Sequence, residues 1–204
     1  MANKPFVRCP WVDLTKPDYV DYHDREWGAP AHKDLLLFEF LTLEAAQAGL
    51  SWYTVLRKRE NYRIAFDYFN AEKVARYDAR KIGELLANSG IIRNRAKILA
   101  AINNARRFLE IQKAFGSFDA YIWRFVGGRP IVHEFKVLGD YPTRCRESDA
   151  MSDDLRERGF KFVGTTICYA HMQATGMIND HVIDCFRRKE IIKGYTERSI
   201  GRKK

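Results

Sequence analysis

The chain has no run approaching the ~18 consecutive apolar residues that a membrane span needs. Its opening stretch, Met1 to Pro10, lacks the apolar segment of a secretion signal, so the sequence reads as that of an intracellular protein. Cysteine is scarce, four in 204 residues, and in that compartment thiols or metal ligands are expected rather than disulfides. No internal repeat, no composition shift marking a linker and no strand-like alternation is visible. Solenoids, sandwiches and barrels are thereby excluded, and the expected class is all-α, in one domain or two closely joined lobes. What is present is a 46% hydrophobic share, 13% aromatics and a formal charge of +9 with pI near 9.4. The first two promise a real core, and the charge favours a polyanionic partner, nucleic acid before an acidic membrane.

Residues 1–33 are broken by Pro5, Pro10, Pro17 and Pro30 and read as irregular, yet they are dense in Trp11, Tyr19, Tyr22, His23 and Trp27. Aromatics without a regular element pack over a core or a planar ligand. From Asp34 onward the pattern is helical. Asp34 caps a helix ending near Gly49; Ser51, Asn70 and Asp78 cap the next three. Ile91 to Leu109 reads as a long helix with Ile98, Ile102, Ala105 and Leu109 on one face. Arg93, Arg95, Lys97, Arg106 and Arg107 lie elsewhere on it, solvated or able to meet phosphates. Phe118 to Val126, Ser152 to Arg158 and Thr165 to Ala174 follow as helices, with loop-like 129–147 between. Asn179 is read as capping a last helix to about Arg188, followed by a basic, frayed tail.

Within this frame Glu44-Ala45-Ala46-Gln47-Ala48-Gly49-Leu50-Ser51-Trp52 stands out. It sets one carboxylate into an apolar helix whose flanks, Leu35 to Phe38 and Val55-Leu56, read as core. A buried glutamate costs several kcal/mol unless paired or employed. Periodicity leaves both readings open, a structural cap or a working group. His181 and Cys185, four apart and read as one helix face, can combine with Cys9 and His23 into a closed tetrahedral zinc set. Cys145, Cys168, His32, His133 and His171 can be drawn into other sets as freely. Need favours Cys9 and His23, because a proline-broken segment has few other ways to be fixed. Finally, Leu155 to Thr166 reads helix, tight hairpin, helix, bracketed by Gly159 and Gly164. It is either an ordinary αα-hairpin or one whose free backbone N–H groups bind phosphate, a choice that Lys161 and the net charge tilt toward DNA.

Several longer motifs carry a resemblance. They are Arg8-Cys9 with Trp11, Tyr22-His23-Asp24, Glu26-Trp27-Gly28, Gln47 to Trp52, Lys58-Arg59-Glu60-Asn61-Tyr62, Gly90-Ile91-Ile92-Arg93, Arg158 to Tyr169 and Asn179-Asp180-His181-Val182. Together they resemble the 3-methyladenine DNA glycosylase I family of the helix-hairpin-helix superfamily, over residues 8 to 185. The resemblance implies a helix-hairpin-helix fold over about 152–176 within a single 1–190 unit. It also implies a zinc-bearing lobe from 1–33 and 177–190, and it leaves the basic 191–204 tail without a role. It implies one structural Zn2+ on Cys9, His23, His181 and Cys185. Glu44 is implied as base reader, Tyr22 and Trp52 as stacking aromatics, and Tyr19, Trp11 and Trp27 as pocket lining. Gly49 and Leu50 are implied as the plug for the flipped nucleotide's gap, with Lys161, Gly164 and Thr165 on DNA. The implied activity is excision of N3-methyladenine from double-stranded DNA by a monomeric, cytoplasmic enzyme, with free 3-methyladenine as product. Thr165 and Thr166 stand where lyase relatives carry a lysine, so no strand cutting is expected. Asp180 is open between helix cap, zinc support and oxocarbenium stabiliser. A non-catalytic, zinc-stabilised DNA-binding module is the alternative, and it leaves Glu44 and its aromatic neighbours without a purpose.

Overall fold

The computed structural model describes residues 6–201, with side chains through residue 195. Its helices in chain order are α1 (Pro17–Arg25), α2 (Asp34–Gln47), α3 (Trp52–Leu56), α4 (Arg59–Ala65), α5 (Ala71–Val74), α6 (Ala79–Ala87), α7 (Arg95–Phe115), α8 (Phe118–Ile122), α9 (Arg146–Glu157), α10 (Thr165–Ala174) and α11 (Phe186–Gly201). Two short strands, β1 (Ile131–Val132) and β2 (Ile178–Asn179), pair in parallel. The chain is mainly helical, as expected. The strand pair is an addition, and at two residues each strand is too short to show alternation in sequence.

By internal contacts the chain divides into two compact units. One comprises Met1–Pro30, Pro130–Pro142 and Gln173–Lys204; the other comprises Ala31–Arg129 and Thr143–Met172. In the larger unit α2 is buried on nearly every side, with Leu37, Phe38, Phe40, Leu41, Leu43, Ala45 and Ala46 in the core. A helix apolar all round belongs at the centre of a bundle rather than on its surface. Only its first turn departs from the expected core, because Leu35 is exposed. Phe108 of α7 lies 5.0 Å from Phe38 and 4.2 Å from Phe118, centroid to centroid, joining α2, α7 and α8.

Ser51, Asn70 and Asp78 cap α3, α5 and α6 as read from the sequence, each accepting from the N–H three residues on. Asp34 does not cap its own helix. Its carboxylate accepts from the N–H groups of Phe118 and Asp119, both 2.8 Å away, and from Gln112 Nε2. It therefore satisfies the orphan donors at the start of α8, a partner 84 residues away that no local pattern announces. The long helix starts at Arg95, capped by Asn94, so Ile91 to Arg93 precede it. Ser152 is no cap either. It is buried inside α9, which is capped by Cys145 and Ser148, and its hydroxyl donates to the Val163 carbonyl at 2.7 Å. Of the basic face on α7, Lys97 and Arg106 are occupied by backbone carbonyls and Arg107 by Glu110.

In the smaller unit, α1 corrects the irregular reading of residues 1–33. Pro17 sits in the first turn, where its missing N–H costs nothing. Gly176 is held at φ +69°, where a Cβ would lie 2.4 Å from the Ala29 carbonyl carbon, so glycine alone fits. His181 and Cys185 do not share a helix. They flank a turn in which the Cys185 N–H donates to the Val182 carbonyl, because Asn179 is taken into β2 and its side chain accepts from the His181 N–H. The segment read as a frayed tail belongs to α11, with Phe186 packed at a tilt against Phe6 and Ile191 buried. Its last three residues, 202–204, lie outside the described ones.

Replacing Asp34 with alanine leaves two α8 N–H groups without their acceptor. Denaturant unfolding of Asp34→Ala is expected to show a loss of about 1–3 kcal/mol, and an unchanged midpoint would contradict the capping role.

Candidate functional site

Two carboxylates are buried on α2, and they are treated differently. Glu39, 3% exposed, accepts from Arg59 Nε at 2.5 Å and from Arg63 Nη2 at 2.8 Å. Arg59 also lies 5.0 Å over the Phe40 ring, and Phe40 in turn stacks on Trp52 at 6.4 Å. Glu39 is thus a paired structural charge. Glu44, 2% exposed, has no such arrangement: its Oε2 finds no hydrogen-bond partner among the described residues. Burial pushes its carboxyl up to about 8, so at neutral pH it holds its proton. The reading of Glu44 as a helix cap or ion-pair member has no partner to support it.

Beyond Glu44 the helix ends at Gln47, and Gly49 turns at φ +77° with open space around it. Leu50 follows, 41% exposed, its N–H bonded to the Gln47 carbonyl. The terminal carbonyls of α2 are met by Lys97 Nζ, which donates to Ala46 at 2.8 Å and Ala48 at 2.6 Å. That ammonium sits where the helix dipole is negative, and burial lowers its proton affinity. Lys97 was grouped with the possible phosphate contacts, but it holds the turn that carries Leu50.

The hairpin between α9 and α10 is gripped from α7. Asn104, buried, accepts from the Lys161 N–H at 2.8 Å and donates to the Lys161 carbonyl at 2.9 Å, while Asn103 donates to the Gly159 carbonyl at 2.8 Å. The only available signal for these two was their awkwardness, adjacent asparagines inside a long helix. Lys161 is exposed, and Gly164 and Thr165 are half-buried, with the Thr165 hydroxyl donating to Asp149.

In the smaller unit Cys9, His23, His181 and Cys185 are all buried, and their four donor atoms lie within 4.8 Å of one another. His23 Nδ1 donates to Asp24 Oδ1 at 2.7 Å, and His181 Nε2 donates to the Trp27 carbonyl at 2.9 Å. Those bonds set the tautomers and leave His23 Nε2 and His181 Nδ1 as lone pairs facing the sulfurs. The Cys185 thiol is driven down chiefly by the hydrogen bond from Cys9. Two imidazole lone pairs and two buried sulfurs, of which Cys185 is the thiolate-prone one, could hold a metal ion. Tyr22 is buried. Trp11 packs 5.1 Å from Tyr19 and 4.9 Å from Trp27, and Trp11 and Trp27 also lie against His23 and His181. Asp180, fully buried, accepts from His133 Nδ1 at 2.6 Å and Gln173 Nε2 at 2.7 Å.

Comparison with known proteins supplies the family. The methyladenine glycosylase family profile matches residues 11–188. The chain belongs to the methyladenine glycosylase family. It is 49% identical over 178 residues to DNA-3-methyladenine glycosylase 1 of Escherichia coli strain K12, covering 87% of this chain and 95% of that one. A crystal structure of 3-methyladenine DNA glycosylase I superposes with a TM-score of 0.86 at 48% identity, over 88% of this chain and 98% of the other. A point variant of 3-methyladenine DNA glycosylase I, solved in complex with 3-methyladenine, gives 0.83 at 36% identity, over 85% and 93%. Most of α11 lies beyond the matched family segment. No helix among the described residues is long and apolar enough to cross a membrane.

The raised Glu44 carboxyl makes a stability prediction. The folded state keeps its proton up to about pH 8, while the unfolded chain releases it near 4.5, so stability falls as pH rises through that window. Glu44→Gln removes the ionisable group. Its stability relative to wild type should rise by about 3 kcal/mol between pH 5 and pH 8 in denaturant titrations; parallel profiles would place the carboxyl in contact with water.

Proposed function

We propose that this glycosylase excises N3-methyladenine from double-stranded DNA by hydrolysing its N-glycosidic bond, and that it leaves an abasic site. Family membership supplies the reaction class. The observation that carries the substrate assignment is Glu44, a buried carboxyl with no donor on its Oε2, on the same helix as a glutamate that has two arginines. A polar group buried without a partner costs about 1–3 kcal/mol, a cost expected to be recovered when a ligand arrives.

N3-alkylated adenine in DNA is cationic, and its neutral form is already a good leaving group. The protein therefore needs selective binding more than strong acid catalysis. A cationic purine beside Glu44 draws the carboxyl toward ionisation, and the resulting carboxylate accepts hydrogen bonds from the base edge. Unmodified adenine brings no charge to offset the desolvation. Tyr22 and Trp52 are assigned to stacking on the base, each adding about 0.5–2 kcal/mol of cation–π attraction when desolvated. Tyr19, Trp11 and Trp27 are assigned to the aromatic lining. Leu50, on the exposed Gly49 turn, fills the gap left by the flipped nucleotide, which costs a few kcal/mol to unstack. The hairpin carrying Lys161, Gly164 and Thr165 takes the DNA backbone.

Zn2+ is assigned to Cys9, His23, His181 and Cys185. With four protein donors no coordination position would be open, so the ion would supply folding energy rather than chemistry. Asp180 is assigned to support rather than catalysis, since both its oxygens are engaged by His133 and Gln173. Strand cutting is not part of the activity. Neither Thr165 nor Thr166 can form an imine, and the Thr165 hydroxyl is committed to Asp149.

The deciding assay is release of base from methylated duplex DNA, with the product identified chromatographically. Free 3-methyladenine over a strand that stays uncut until alkaline treatment is expected, and no release from DNA containing that base would defeat the assignment. Glu44→Ala should lose affinity for free 3-methyladenine by tenfold or more while binding abasic DNA normally; equal base affinity would remove Glu44 as reader. Cys185→Ser should bind less than one equivalent of zinc and melt several degrees lower. Full metal content at an unchanged melting temperature would remove the zinc site.

A further inference from the structure

The hairpin backbone is satisfied on one side only. Its Gly159 carbonyl accepts from Asn103, its Lys161 carbonyl from Asn104, and its Val163 carbonyl from Ser152 and Cys168. The Lys161 N–H is taken by Asn104 Oδ1. The N–H groups of Phe162, Val163 and Gly164, by contrast, have no hydrogen-bond partner among the described residues. Phe162 is held at φ +55°, a region that costs a side chain of its size about 1–2 kcal/mol, so the conformation must be imposed from outside. The grip comes from α7, a 21-residue helix. Asn104 is 2% exposed and spends both halves of its amide on Lys161, as a neighbouring strand would. Cations stand beside the open donors: Arg156 Nη2 lies 3.4 Å from where a Gly164 Cβ would be, and Lys161 is exposed.

We propose that Asn104, with Asn103 beside it, is a positioning residue for DNA binding: it locks the hairpin so that the free N–H groups of residues 162–164 converge on one DNA phosphate. The proposal rests on the reading of the hairpin as the DNA-backbone contact, but not on which base is excised. Asn104 touches no DNA. It acts by fixing the peptides on either side of Lys161, one through its N–H and one through its carbonyl, which leaves the following peptides one orientation rather than several. A phosphate gains from preorganised donors because no ordering cost remains at the moment of binding.

The test compares wild type, Asn104→Leu and Asn104→Asp in binding to an abasic-site duplex across a salt series, with free 3-methyladenine affinity measured in parallel. Asn104→Leu is expected to weaken duplex binding at least tenfold, and losing one phosphate contact should lower the slope of log K against log salt by about 0.9. Base affinity should stay at the wild-type value. Asn104→Asp keeps the acceptor for the Lys161 N–H but turns a carboxylate oxygen toward its carbonyl, and should fall between. If Asn104→Leu does not fold, Asn103→Ala, which removes the bonds to the Gly159 carbonyl and to Asn104 Oδ1 but leaves both Asn104–Lys161 bonds, is expected to weaken duplex binding severalfold with base affinity retained. Folded variants with the wild-type salt slope and duplex affinity would overturn the proposal, as would a parallel loss of base affinity. A wild-type protein that binds the duplex but releases no 3-methyladenine would defeat the proposed reaction and leave this positioning role standing.

Discussion

Desolvation of a carboxyl group is the constraint around which the larger unit is built. A helix buried on nearly every side leaves no water for an acidic side chain, so every glutamate on α2 must be neutralised by a partner or by a proton. Glu39 takes the first route, and its partners explain much of α4: Arg59 is buried because Glu39 is, and it brings Phe40 and Trp52 into one stack. Glu44 takes the second route. Burial raises its proton affinity, and its Oε2 meets no donor among the described residues. The end of the same helix needs a cation for the opposite reason, since its last carbonyls point at no further turn, and Lys97 supplies it.

The same economy governs the hairpin. Backbone carbonyls there are met by Asn103, Asn104, Ser152 and Cys168, while three successive N–H groups are left over. A surface of unmatched donors flanked by Arg156 and Lys161 is the local counterpart of the chain's +9 charge. In the proposed function it meets a phosphate without reading sequence, and specificity is left to Glu44. In the smaller unit the two buried His donors are oriented by partners outside the cluster, Asp24 for His23 and the Trp27 carbonyl for His181.

Much of this was legible in the sequence where the governing interaction is local. A cap acts over three residues, so Ser51, Asn70 and Asp78 announce their helices, and the glycines at 159 and 164 bracket a turn whatever lies around them. The reading failed where a residue's partner is distant. Asp34 has the chemistry of a cap but serves α8, and Ser152 is drawn inward to Val163. His181 and Cys185 have helical spacing yet lie on a turn, because β2 claims the backbone before them. Asn103 and Asn104 look like surface residues until the hairpin is folded against them.

The sequence alone determined the helical class, the basic charge and the oddity of an acid in an apolar helix. All are properties of composition or of neighbours within a few positions. Family membership, carried by the long motifs, added the reaction class. Only the tertiary structure separated Glu44 from Glu39, two buried acids on one helix that a sequence cannot tell apart. The difference is whether an arginine from another helix reaches the carboxylate, and that distance exists only once the chain has folded. For Glu39 it is 2.5 Å; for Glu44 no described residue donates to Oε2.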